Sequence, residues 1–139
     1  MRKVVVMKFQ SLLLSLFAVL ALPAIADETE LGKKMDELND HYKSIRREND
    51  PVKGAISARE AQKLIAACLN EVPAMIGKMP DGAAKENALA IYRQLTGEAY
   101  VLLCKIEQAY LAKNVDKAKA IYEELKGIKK DGHDKFIEE

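Results

Sequence analysis

The sequence predicts an all-α fold, an antiparallel up-down-up-down four-helix bundle, and three observations carry that expectation. Apolar residues recur at steps of four and three in four separate stretches, the spacing of helices that pack lengthwise against one another. No segment shows the strict alternation of apolar and polar residues that marks a half-buried strand. Turn-forming residues, Asn49-Asp50-Pro51, Pro80-Asp81-Gly82 and Asn114, separate the stretches, so the connections are short.

The first residues stand apart. Arg2, Lys3 and Lys8 precede the apolar run Ser11 to Leu22, which ends at Pro23-Ala24-Ile25-Ala26, a small-x-small cleavage signal. The run is shorter than the ~18 residues a membrane span requires, so residues 1–26 are expected to be a cleaved secretory signal. Removing 26 residues from 139 leaves 113, beginning at Asp27, enough for one domain with one core. The signal holds three of the 22 basic residues and none of the 21 acidic ones, leaving 19 against 21, a net charge of −2. That near-neutral balance gives no electrostatic footprint for nucleic acid. Export would place the protein in a bacterial periplasm, with no membrane attachment once the signal is removed.

Helix one is expected over residues 28–48, with Asp27 as its cap and acidic groups at the positive end of its dipole. Its seam is Leu31, Met35, Leu38, Tyr42 and Ile45. Pro51 disfavours helical backbone at the residue before it, so the helix stops there, and Gly54 lies in the link that follows. Ser57-Ala58-Arg59-Glu60 has the pattern of a capping box opening helix two. Its seam then runs Ala61, Ile65, Cys68, Val72, Met75 and Met79, with Pro73 expected to kink it. Helix three starts near Ala83 and carries Ala88, Ile91, Leu95, Ala99, Leu102, Ile106 and Ala109 on one face. Asn114 caps helix four, whose stripe is Val115, Ala118, Ile121, Tyr122, Leu125, Ile128 and Phe136.

Bundle geometry then tests pairs of side chains. With helices two and three turning at about residue 81, Cys104 falls ~15 Å along the axis from the level of Cys68 at 1.5 Å per residue. A disulfide requires Cα atoms within about 7 Å, so both are expected to be free thiols. The same arithmetic puts Met35, near the start of helix one, at the level of His133, near the end of helix four. A thioether opposite an imidazole at one end of a bundle is a suitable axial pair for haem iron. His41 lies about 120° off the seam and reads as a surface histidine.

Met35-Asp36-Glu37-Leu38-Asn39-Asp40 at one end, with Glu124-Leu125-Lys126 and His133-Asp134-Lys135-Phe136 at the other, resemble the two ends of the soluble cytochrome b562 family. The resemblance implies periplasmic electron transfer by a monomer that binds one non-covalent b-type haem (haem b) per chain. It implies Met35 and His133 as axial ligands of the iron, and a redox partner protein. Met75, Met79, Leu31, Leu89 and Tyr92 are further candidates for lining the haem. The family places aromatic side chains around the haem on its third helix, whereas this chain offers Leu95 and Ala99, with Tyr92 the nearest aromatic. Gly127 and Gly132 lower the stability of the last helix by up to ~2 kcal/mol together.

Other chemistries find little support. No Cys-x-x-Cys-His run exists for covalent haem. Neither histidine has a glutamate three residues before it, as di-iron bundles require. No nucleophile, base and orienting group fall in register, so an enzyme is not expected. The competing reading is a haem-free periplasmic bundle acting as an adaptor or binding protein, with Met35 in the core and His133 on the surface.

Overall fold

The computed structural model describes residues 29–137, and the expected signal segment and Asp27 lie outside them. Four long helices and one short one form the described part: α1 (Glu30–Arg47), α2 (Pro51–Cys68), α3 (Ala74–Gly77), α4 (Ala83–Leu111) and α5 (Val115–Phe136). The all-helical expectation is met, and the helices pack as a bundle. Among the described residues no helix is long and apolar enough to cross a membrane.

Local chemistry explains the helix ends. Thr29 caps α1, its hydroxyl accepting the Gly32 amide at 3.0 Å, and Glu30 meets the positive end of the dipole. Helix two begins six residues before Ser57. Asp50 is its cap, accepting the Val52 and Lys53 amides, and Pro51 occupies the first turn, where its missing N–H leaves no bond unmade. Gly54 therefore lies inside α2 rather than in a link. Ser57, read as a cap, is an interior residue whose hydroxyl meets that of Ser44 on α1 at 3.0 Å.

Nor does α2 bend through Pro73. It ends at Cys68, and the chain restarts as α3 with Pro73 at its cap position. The later seam positions Val72 and Met75 are consequently exposed rather than packed in the bundle. Gly82, with φ at +145°, makes the turn into α4. Asn114 caps α5 as expected, accepting the Lys117 amide at 3.0 Å, and α5 continues as helix through Gly127 and Gly132.

Cross-helix bonds set the register. Asn39 accepts from Lys129 and Asn49 from Lys119, so later positions of α5 meet earlier positions of α1. Arg59 and Gln62 of α2 both reach Glu107 of α4, and Tyr92 of α4 reaches the carbonyl of Cys68. Cys68 and Cys104 are free, as the geometry required.

Two clusters form the interior. The larger runs along the bundle and centres on Leu38, Tyr42, Ile45, Ile65, Leu103, Ile106, Tyr110 and Leu125. The smaller joins Ile76 of α3 to Leu89 and Tyr92 of α4, with Met79, Ala88 and Phe136 packed on it. The two are separated by a cleft.

Candidate functional site

The cleft has a volume of about 540 Å³ and lies between the first half of α1, the segment Pro73–Lys78, the first half of α4 and the last turns of α5. That size suits a bound organic molecule. Its walls are largely apolar: Leu31, Leu38 and Tyr42 from α1, Ile65 from α2, Leu95 and Ala99 from α4, Ile128 and Phe136 from α5. Polar groups sit among them, notably Asp36, Asn39, Lys78, Thr96 and Lys129.

Both residues singled out from the sequence line this cleft. Met35 is half-buried and packs on the larger core. His133 stands at the rim, exposed on its outer side. Desolvation against the wall, helped by Lys129 one turn back, holds its pKa below the usual imidazole value, with Asp134 pulling weakly the other way. The neutral ring is the form that can coordinate a metal.

Register brings the two residues to one level. Lys129 Nζ donates to Asn39 Oδ1 at 2.6 Å. Met35 is one turn before Asn39 on α1, and His133 is one turn beyond Lys129 on α5. Because the two helices pair in opposite senses, both steps lead the same way along the bundle. The Asn39–Lys129 bridge thus locks the levels of the thioether and the imidazole.

Of the other expected lining residues, Leu31, Met75 and Tyr92 do face the cleft. Met79 and Leu89 belong to the small core instead. His41, off the seam as expected, is partly buried and does not line the cleft. Sequence reasoning passed over Asn39 and Lys129 as a bridge, and Thr96, Pro73 and Lys78 as lining. The bridge was findable, since Asn39 lies four residues after Met35 and Lys129 four before His133. Pro73 and Lys78 were not, because they reach the cleft only once α2 ends early.

A Cβ added to Gly132, which lines the cleft, would find no atom within 4 Å. Among the described residues no group of three or more His, Cys, Asp and Glu side chains is placed to hold a bare metal ion. One sulfur and one nitrogen donor are too few for such an ion.

The family model for cytochrome b562 matches residues 30–136, most of the chain. The chain belongs to the cytochrome b562 family. No curated protein matches it individually. Membership in the cytochrome b562 family makes the fold a helical bundle and points to a haem-binding electron carrier rather than an enzyme.

Proposed function

We propose that the protein is a periplasmic electron carrier in which the cleft holds one non-covalent haem b, with Met35 and His133 as the axial ligands of its iron. The observation that supports this most is the shared level of these two residues across an apolar cleft. Two donors suffice when a macrocycle supplies the other four positions, and a thioether with a neutral imidazole is a suitable soft and borderline pair. Haem supplies a one-electron couple when bound.

The chain's own residues do the rest. Met35 from α1 and His133 from α5 would hold the group, one through its thioether sulfur and the other through its neutral imidazole. A thioether in that role would favour the reduced state and raise the potential relative to two imidazoles. Leu31, Leu38, Ile65 and Leu95 exclude water, while the exposed rim at His133 offers the edge to a redox partner protein.

The wider reading completes this picture. Residues 1–26 are a cleaved signal, and 27–139 are one bundle, with the four long helices in up-down-up-down order and α3 set in the second connection. The domain works as a monomer, without nucleic acid or membrane contacts.

The test is a haemin titration of the purified protein followed by reduction with dithionite. A saturating one-to-one complex with a sharp Soret band and split α and β bands on reduction is expected. Met35→Leu conserves volume and should lower stability by under ~1.5 kcal/mol, yet remove the low-spin spectrum; His133→Ala should remove it too. No stoichiometric binding would sink the haem reading and favour a bundle with another cargo.

A further inference from the structure

We propose that Tyr92 is the positioning residue for His133, acting through Phe136, an inference that rests on the haem reading for its purpose but not for its geometry. The last turns of α5 are tied at Ile128, which packs on the larger core, and at Lys129, which bridges to Asn39; beyond Lys129, among the described residues of this helix, Phe136 alone packs on a core cluster. Beyond Leu125 that helix has no buried residue, and two glycines, Gly127 and Gly132, fall in this part of it. Phe136, one turn beyond His133 on the same face, is the apolar side chain that ties this end down. It meets Tyr92 edge to face, with ring centroids 5.8 Å apart and planes at 85°.

Tyr92 is fixed in turn. It is 5% exposed, and its hydroxyl donates to the carbonyl of Cys68, the last residue of α2, at 2.7 Å. Leu89 and Ile76 pack in the same cluster. The ring is therefore held by α2, α3 and α4 at once, and passes that rigidity to the turn that carries His133. The Ile137 amide, which donates to the His133 carbonyl at 3.1 Å, closes that turn and reports on it.

Amide hydrogen exchange of the haem-free protein tests the geometry. Tyr92→Leu and Phe136→Leu should each speed exchange at Ile137 by about tenfold, while amides of residues 118–125 change by less than about twofold. Tyr92→Phe keeps the ring and should keep most of the protection. Phe136→Leu lies near the chain end and tests the idea even where Tyr92→Leu does not fold. Unchanged exchange at Ile137 in Phe136→Leu, or equal acceleration along all of α5, overturns the proposal.

The purpose is read from spectra. With haemin bound, Phe136→Leu should lose part of its low-spin band, and added imidazole should restore it, whereas Phe136→Tyr should behave like the unsubstituted protein. Local acceleration with no spectral change or imidazole response would overturn the assignment of His133 as the group being positioned. Failure of the unsubstituted protein to take up haemin would overturn the haem reading, and the exchange result would still decide whether Tyr92 and Phe136 order this turn.

Discussion

Tyr92 and Tyr110 stand on one face of α4, eighteen residues or five turns apart at 3.6 residues per turn, yet they serve opposite ends of the molecule. Each sends its hydroxyl to the carbonyl end of a neighbouring helix, Tyr92 to Cys68 of α2 and Tyr110 to Ile45 and Glu48 at the close of α1. At the Tyr110 end the ring lies against the bare backbone of Gly54, and the bundle is sealed. Around Tyr92 the neighbours on α4 are Leu95, Thr96 and Ala99, and the space they leave is the cleft. The same device closes one end and props open the other. What differs is the fit beside the ring: glycine at position 54 lets Tyr110 seat against backbone, whereas Leu95, Thr96 and Ala99 leave space next to Tyr92.

The largest test of this contrast is Tyr110→Ala, expected to cost about 3–5 kcal/mol in denaturant unfolding because it empties the sealed end. Gly54→Ala comes next. The new methyl would run into the Tyr110 ring, so a loss of about 1–3 kcal/mol is expected, and a neutral result would mean that the ring is not seated on Gly54.

Removing the hydroxyls alone should separate the two ends more finely. The Glu48 amide goes to the Ser44 carbonyl, and those of Asn49 and Asp50 go to the Glu48 carboxylate, so the Ile45 carbonyl takes the Tyr110 hydroxyl in their place. The Cys68 carbonyl also accepts the Glu71 amide. Tyr110→Phe should therefore cost about 1–3 kcal/mol and Tyr92→Phe about 0.5–1.5 kcal/mol. Equal losses would erase the distinction.

Alkaline solution probes the same two hydroxyls in another way. Burial pushes the Tyr92 phenol up to about 12, and desolvation raises Tyr110 as well. A group whose folded pKa is raised stabilises the fold fully below its unfolded value, near 10, and loses that stabilisation as pH rises through its folded value. Stability should thus fall between about pH 10 and about pH 12, and Tyr92→Phe should flatten the slope. An unchanged slope in that variant would show that Tyr92 does not control it.

Much of this architecture was legible in the sequence. The seam Leu38, Tyr42 and Ile45 is buried as its spacing required, Asn114 is the cap it resembled, and Met35 and His133, which counting residues places at one level, line one cleft. The misreadings have physical reasons. Pro51 alone reads as a breaker, but after Asp50 it is a first-turn residue, and the earlier start leaves the Ser57 box inside the helix. Beyond Cys68 the four-and-three rhythm continues although the backbone leaves the bundle, because periodicity cannot report where a proline ends a helix rather than bending it. On α4 the buried stripe begins at Leu89, Tyr92 and Thr96 instead of Ala88, Ile91 and Leu95. From Leu89 the buried residues keep a three-and-four rhythm through Ala99, Leu103, Ile106 and Tyr110, whereas the expected stripe steps by four twice, from Ile91 to Leu95 to Ala99, and so starts one residue early.

The spacing of the two tyrosines makes α4 a ruler. Inserting or deleting one residue between Tyr92 and Tyr110 would turn one ring about 100° away from its carbonyl. The connecting segment 69–82 is tied at Ile76, which packs on Leu89 and Tyr92, and supplies Pro73, Ala74, Met75 and Lys78 to the cleft. Diverging sequences should accordingly hold the length of α4 fixed and let the rest of that segment vary, changing the cargo an open end accepts without touching the scaffold that holds it open.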